Sequence, residues 1–264
     1  MKRRQLLRYV GLGTLAAMGG ILLSPQSYQA QNSPRLEIEW LGHTAFLFKS
    51  NENRVLVNPF RPIGCTAGYP APEVNADLVM ISSQLFDEGG GVANLPNDPR
   101  VLFESGSYQF QGMNIEGIRM PHDREGGRRF GTNIAWKWEQ AGVKILHLGG
   151  AAAPLETEDR ILMGRPDVLI LPVGGSPKAY TPELAKQAME RLRPRLVIPS
   201  HYLTEAADEE NCDLVGVEEF TNLLEGTPYQ QVNKNVISFT TNDLPEQTEI
   251  RVMNSEQLLV GNNQ

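Results

Sequence analysis

The stretch Ala76-Asp77-Leu78-Val79-Met80-Ile81-Ser82-Ser83-Gln84-Leu85-Phe86-Asp87-Glu88-Gly89 decides the fold. Leu78 to Ile81 is a short continuous apolar run, which is how a strand buried on both faces reads. At Ser82 it gives way to a polar loop holding two adjacent carboxylates, Asp87 and Glu88. A buried strand running into such a loop delivers those side chains to a sheet edge. Upstream, Leu36-Ile38-Trp40 alternates, and residues 45–48 and 55–58 are further short apolar runs. Downstream, strands are expected at residues 108–110, 113–118, 133–138, 143–148, 168–172 and 196–199. Between the last two, Thr181-Pro182-Glu183 supplies an N-cap, a proline at the first helical position and an acidic first turn. Leu184, Ala188, Met189 and Leu192 follow on one face, so the spacing predicts a helix. A second helix is expected over 217–225, stopping at Gly226, and a final strand over 236–240. Strands early, then helices alternating with strands, make an α/β pattern.

The chain has 264 residues, 41% of them hydrophobic, enough to bury a substantial core. That excludes a disordered chain, and two cysteines exclude a disulfide-framework fold. Cys65 and Cys212 lie far apart and lack metal-type spacing, so they read as two buried or free thiols, with a single disulfide after export as the alternative. No solenoid-length repeat or low-complexity tract is present.

Residues 1–30 carry four basic groups, Lys2, Arg3, Arg4 and Arg8, and no acidic ones. Taking these four from the 24 Lys and Arg leaves 20 against 31 Asp and Glu, a net charge of −11 for the remainder. An acidic body of this kind disfavours nucleic acid or an anionic membrane face as the main partner. Lys2-Arg3-Arg4-Gln5-Leu6-Leu7-Arg8 resembles a twin-arginine export signal. The apolar run 9–23 behind it reaches roughly 22 Å as a helix, short of a hydrocarbon core of about 30 Å. A charged start, a short apolar run and a polar stretch fit a signal segment over 1–30. Tyr28 stands where a small residue belongs before a cleavage site, so an uncleaved anchor remains open as the one membrane attachment. The expected location is the periplasm or an equivalent lumen.

Several further segments, in order, resemble one family. They are Trp40-Leu41-Gly42-His43-Thr44-Ala45-Phe46-Leu47, Val57-Asn58-Pro59-Phe60, Ala76-Asp77-Leu78-Val79 and Gly106-Ser107-Tyr108. Gly117-Ile118 with His122-Asp123, Lys144-Ile145-Leu146-His147-Leu148-Gly149, Leu171-Pro172-Val173-Gly174-Gly175 and Val197-Ile198-Pro199-Ser200-His201-Tyr202 complete the set. Together they resemble the metallo-β-lactamase superfamily, in the branch of the ascorbate-6-phosphate lactonases and many bacterial zinc-dependent hydrolases. The resemblance implies an α/β fold, the αββα four-layer sandwich, over residues 35–241, with its metal site in loops at one sheet edge. It leaves 242–264 as a polar C-terminal tail with one short strand near 250–252.

In that family the strand after Ala76-Asp77 leads into a His-x-His-x-Asp-His loop that aims several ligands at two metal ions. Here Ser83 and Leu85 replace the first two histidines, Asp87 matches the aspartate, and Glu88 replaces the last histidine. His122 matches the third histidine of the first metal, and His201 matches the final histidine. The turn His147-Leu148-Gly149-Gly150 has glycine where the family has a bridging aspartate. The resemblance therefore implies Asp87, His122 and His201 as metal ligands, with Asp87 also the candidate catalytic group. A full dinuclear zinc centre is not expected. One divalent ion, Zn, Mn or Fe, is the most this donor set implies, with Glu88 as a further oxygen ligand shifting preference toward the harder ions.

Plainer readings stand beside these. Asp87 can cap a helix, His122 can belong to a polar network with Arg124, Arg128 and Arg129, and His201 can bond to backbone. His147 reads as strand packing, and His43 as a group behind the ligands. A Ser83–His122 pair is a further nucleophile candidate, without a nucleophile-elbow motif to support it. Two function classes follow. One is an exported hydrolase of esters, lactones or phosphoesters with a remodelled site holding at most one metal. The other is a non-catalytic descendant of the fold that binds a small molecule or a protein partner.

Overall fold

The computed structural model describes residues 34–50, 53–207 and 209–258, and the expected export segment 1–30 lies outside them. Two mixed sheets face each other. The smaller is built from β1 (Leu36–Gly42), β2 (Ala45–Lys49), β3 (Arg54–Val57), β4 (Leu78–Met80), β5 (Arg100–Leu102) and β13 (Val236–Phe239), in the order β13-β1-β2-β3-β4-β5. The larger holds β6 (Gly106–Phe110), β7 (Met113–Pro121), β8 (Thr132–Gln140), β9 (Val143–His147), β10 (Val168–Pro172), β11 (Leu196–Ser200), β12 (Tyr229–Gln231) and β14 (Glu249–Val252). Its order is β12-β14-β11-β10-β9-β8-β7-β6.

Strand alternation decides which residues fill the space between the sheets. Trp40, Phe46, Phe48, Val55, Val57, Leu78 and Met80 share a core cluster with Ile115, Trp136, Trp138 and Ile145 of the larger sheet. Leu47, Leu56, Val79 and Ile81, one residue out of phase, form a separate cluster with Val74, Val92 and Leu95 on the outer face of the smaller sheet. The helical cover there is thin: the single turn α1 (Phe86–Gly89) and a short 3₁₀ turn at Val92–Asn94. Against the larger sheet stand α2 (Thr157–Met163), α3 (Pro182–Leu192) and α4 (Val217–Thr221). The predicted α3 begins at the expected place, with the Thr181 hydroxyl accepting from the Leu184 N–H at 3.3 Å, and buries Ala185, Ala188, Met189 and Leu192.

The short strand expected near 250–252 is β14, which pairs in parallel with both β11 and β12 and buries Ile250 and Val252. One expectation is corrected. Cys65 and Cys212 are not free thiols: they form a disulfide, with Cα atoms 4.4 Å apart across 147 residues of sequence. The fold brings the turn after β3 beside the segment after β11, a proximity that no local spacing reveals. Ala179 and Leu214 pack with Cys65.

Among the described residues, no helix is long and apolar enough to cross a membrane.

Candidate functional site

The C-terminal ends of β3, β4, β7, β9 and β11 bring their exits to one rim. Backbone geometry there is unusual. His43, Asn58 and His201 all have left-handed φ values, 52°, 54° and 52°, a conformation that costs a residue with a Cβ and survives where its surroundings hold it. What holds these three is visible. The His43 carbonyl accepts from the Trp40 indole at 3.1 Å and from the His201 N–H at 3.1 Å, and the Asn58 side-chain oxygen accepts from the Ser82 N–H at 2.7 Å. The hydrogen bonds tie β1 to β11 and β3 to β4 across the rim.

The two carboxylates of α1 diverge. Glu88 turns inward, fully buried, and its Oε2 lies 2.9 Å from His122 Nε2, also fully buried. Burial pushes the His122 pKa down, but the Glu88 carboxylate more than reverses this and holds it above the ordinary histidine value. Asp87 turns to the rim, where its carboxylate is ion-paired with the Lys178 ammonium, the two side chains 13% and 17% exposed. Lys178 is presented by a built loop. Its N–H donates to the Ser176 hydroxyl at 3.0 Å, and the Arg124 guanidinium donates to the carbonyls of Ser176 and Ala179, each at 3.3 Å.

Space confirms the charge arrangement. A Cβ placed on Gly150 would sit 2.7 Å from the Glu88 carboxyl carbon, so a glycine is required for Glu88 to lie where it does. Asn133 frames that turn, donating to the Leu148 carbonyl at 2.8 Å and accepting from the Gly150 N–H at 3.1 Å.

Beside the pairs stand two neutral imidazoles. The His43 and His201 rings are 4.1 Å apart, both fully buried. Burial lowers the His43 pKa to about 4, with Asp87 and Glu88 opposing the shift and Lys178 adding to it. His201 is driven well below the usual range by burial first, then by His43, Lys178 and His122. None of their four ring nitrogens has a hydrogen-bond partner, nor has Glu88 Oε1 or His122 Nδ1.

The model of the β-lactamase superfamily domain matches residues 37–201. The chain belongs to the metallo-β-lactamase superfamily. A metal-dependent hydrolase of Thermus thermophilus is 27% identical over 197 residues, covering 64% of this chain and 84% of the relative. One from Thermococcus onnurineus is 29% identical over 209 residues, covering 69% and 92%. Among solved structures, a superfamily member from Thermotoga maritima aligns with a TM-score of 0.66 at 28% identity, over 83% of this chain and 98% of its own. A metallo hydrolase from Ignicoccus hospitalis shares the fold, with a TM-score of 0.56 at 18% identity, covering 83% and 95%.

Asp87, His122 and His201 lie in one neighbourhood, Asp87 acting electrostatically on His43, and His43 and His122 on His201. They do not form a ligand set there: Asp87 faces Lys178, His122 faces Glu88, and His201 stacks on His43. Among the described residues no three His, Cys, Asp or Glu side chains are arranged to hold a metal ion. The donor chemistry agrees, since both carboxylates are already neutralised by protein cations, and the space above Gly150 is filled by Glu88. As arranged, the residues do not fit the family's metal centre.

Other expectations are corrected. Glu88 is the partner of His122 rather than an oxygen ligand beside Asp87. The Ser83 hydroxyl accepts from the Leu85 N–H at 3.2 Å while His122 faces Glu88, so the Ser83–His122 nucleophile has no geometry to stand on. His147 does pack as a strand residue, its Nδ1 accepting from the Gly149 N–H at 3.0 Å. His43 is buried with its ring against that of His201. Lys178 follows Gly174-Gly175-Ser176-Pro177 in a turn with no spacing relation to Asp87, so the sequence alone does not single it out.

Proposed function

We propose that this chain is an exported metallo-β-lactamase-fold protein that keeps the hydrolase scaffold, does not run metal-hydroxide hydrolysis, and acts by binding a small molecule or a protein partner. The buried Glu88–His122 pair above Gly150 carries this reading. It uses a histidine that the family spends on metal, and it fills the place of the family's bridging carboxylate. A cleft of about 380 Å³ lined by Ser83, Gln84, Leu85, Phe103, Phe130 and Thr132 adjoins the same loop and is the ligand site we favour. Export is supported by Arg3 and Arg4 ahead of the apolar run and by the Cys65–Cys212 disulfide, which suits an oxidising compartment.

A second reading is favoured by the names of the relatives: a metal-dependent hydrolase of esters, lactones or phosphoesters, with one Zn, Mn or Fe on Asp87, His122 and His201. It requires Asp87 to leave Lys178 and His122 to leave Glu88. Elemental analysis of protein matured through its own export route separates the two. We expect well under one equivalent of bound transition metal and no chelator-sensitive hydrolysis of ester, lactone or phosphoester substrates. A tightly held equivalent accompanied by such hydrolysis would establish the second reading. Replacing Arg3 and Arg4 by Lys should leave the precursor in the cytoplasm, and unchanged delivery would refute the export assignment.

A further inference from the structure

The cleft of about 380 Å³ has a lining that selects among ligands. Ile81, Phe103, Phe130 and Ile134 give it an apolar surface, and Phe103 is left 49% exposed. A large aromatic ring open to water beside a cleft is surface that a bound hydrocarbon can cover. No ionisable side chain lines the cleft, although charged residues make up 21% of the chain. Whatever sign of charge the cleft prefers is therefore set by the groups around its mouth.

Two guanidinium groups touch that lining. Arg119 donates to the Thr132 hydroxyl at 3.1 Å, and the Arg129 guanidinium carbon lies 4.9 Å from the centre of the Phe130 ring. Both arginines are exposed, and among the described residues neither is in an ion pair. Asp87 and Glu104, the acids closest to lining residues in sequence, stand outside the cleft, and Asp87 is taken by Lys178. In an acidic chain body, two unpaired cations at one neutral cleft invert the local field. The hydroxyl between them favours the same sign. Thr132 already accepts from Arg119, which leaves its own proton to donate, and a guanidinium can only donate. The polar side of the cleft thus matches a negatively charged acceptor, and its apolar side matches a hydrocarbon body.

Resting on the proposed metal-free binding role, we propose that this cleft takes a small organic anion, a monocarboxylate with an apolar, ring-bearing body. The hydrocarbon covers Phe103 and Phe130, and the carboxylate is met by Arg119, Arg129 and the Thr132 hydroxyl. Arg119 acts twice, as a donor to the anion and as the group that occupies the Thr132 oxygen and leaves its proton for the ligand. A neutral ligand of the same shape gains the apolar contact without the charge-assisted hydrogen bonds, and a cationic one is repelled.

The experiment titrates protein matured through its own export route with three probes of one shape: 2-naphthoate, the neutral 2-naphthamide and the cationic 2-naphthylmethylamine. Binding is read by calorimetry, with and without chelator. We expect 2-naphthoate to bind at least about tenfold more tightly than the amide, and the amine to bind weakest. Arg119→Gln and Arg129→Gln should each weaken 2-naphthoate about fivefold or more and leave the amide within about twofold of the parent. Phe103→Ala should weaken both. Should an arginine variant fail to fold, the parent decides: its affinity for 2-naphthoate should fall with added salt while that for the amide holds. Equal binding of acid and amide, or acid binding that neither the arginine variants nor salt alter, overturns the anion assignment and leaves the metal-free reading intact. Absence of binding by all three probes overturns it too, because the cleft is then no ligand site of this kind. Binding of 2-naphthoate that is lost in chelator would put the carboxylate on a bound metal and refute the metal-free reading itself.

Discussion

Asp87 and Glu88 are neighbours in sequence and inhabit two different regions of the pocket. Glu88 belongs to the floor, where it and His122 are shut away from water. Asp87 belongs to the rim, where it and Lys178 keep some contact with solvent. The single turn of α1 points one carboxylate each way, so the repulsion expected of adjacent acids never develops and each finds its own cation. The difference also separates roles. A fully buried pair must stay intact for the fold to be stable, because the Glu88 carboxylate left alone is an unsolvated charge. A rim pair keeps some contact with water, so losing one partner should cost less.

The floor gives the largest expected effect. His122→Ala strands the Glu88 carboxylate in the interior and should lower unfolding stability by about 3–5 kcal/mol, measured by denaturant titration. A loss under about 1 kcal/mol would mean that water reaches Glu88 and that floor and rim do not differ. The pH profile sharpens the same point. The His122 pKa is raised in the folded state, so the pair's stabilisation is complete below the unfolded histidine value and drains away as pH rises through the higher folded one. Melting temperature should therefore fall in the parent as pH rises above the ordinary histidine value, and this decline should be missing in His122→Ala.

The disulfide comes next. Replacing Cys65 and Cys212 by serine releases a closure across 147 residues and should cost about 2–5 kcal/mol. It also removes the packing beneath Ala179. Hydrogen exchange should accordingly rise more around Lys178 than at the N–H of His122, which donates to the Gly131 carbonyl at 3.0 Å. Equal loosening at both places would show that rim and floor are one mechanical unit.

Much of this architecture was legible in the chain. The buried runs of β4, β10 and β11 and the capped, amphipathic α3 announce themselves because period, cap and burial agree. The missed elements lack one of these signals. In α2, Ile161 and Leu162 point to solvent and only Met163 is buried, so no apolar stripe marks a helix. All three residues of β12 are exposed and polar in character, as an edge strand permits. The site divides the same way. The family resemblance implies Asp87, His122 and His201 as one group, but partner choice is a tertiary matter. Nothing local says that Glu88 faces His122 across 34 residues or that Lys178 reaches Asp87 across 91.

A third effect tests the loop beside the floor. The Asp123 carboxylate accepts from the N–H groups of Glu125, Gly127, Arg129 and Phe130, at 2.8 to 3.0 Å. Burial raises its pKa, but these four donors outweigh that and leave it below the usual aspartate value. The sign is opposite to His122: the stabilisation is present above the unfolded aspartate value and is lost as pH falls through the lower folded one. Asp123→Asn keeps the shape and loses the charge, and should cost about 1–3 kcal/mol at neutral pH, shrinking in acid. A cost that is independent of pH would assign the loop's order to packing alone.

The rim should give the smallest change. Asp87 and Lys178 share one ion pair that keeps some contact with solvent, their side chains 13% and 17% exposed, so it should be worth less than the fully buried Glu88–His122 pair. A double-mutant cycle with Asp87→Asn and Lys178→Gln isolates that coupling from the separate cost of each substitution. We expect a modest coupling that falls at high salt because both groups retain contact with water. The corresponding cycle on Glu88→Gln and His122→Gln should give a larger coupling that salt barely moves. If the rim cycle proves as large and as insensitive to salt as the floor cycle, Lys178 is a structural member of the buried core, and rim and floor do not differ in kind.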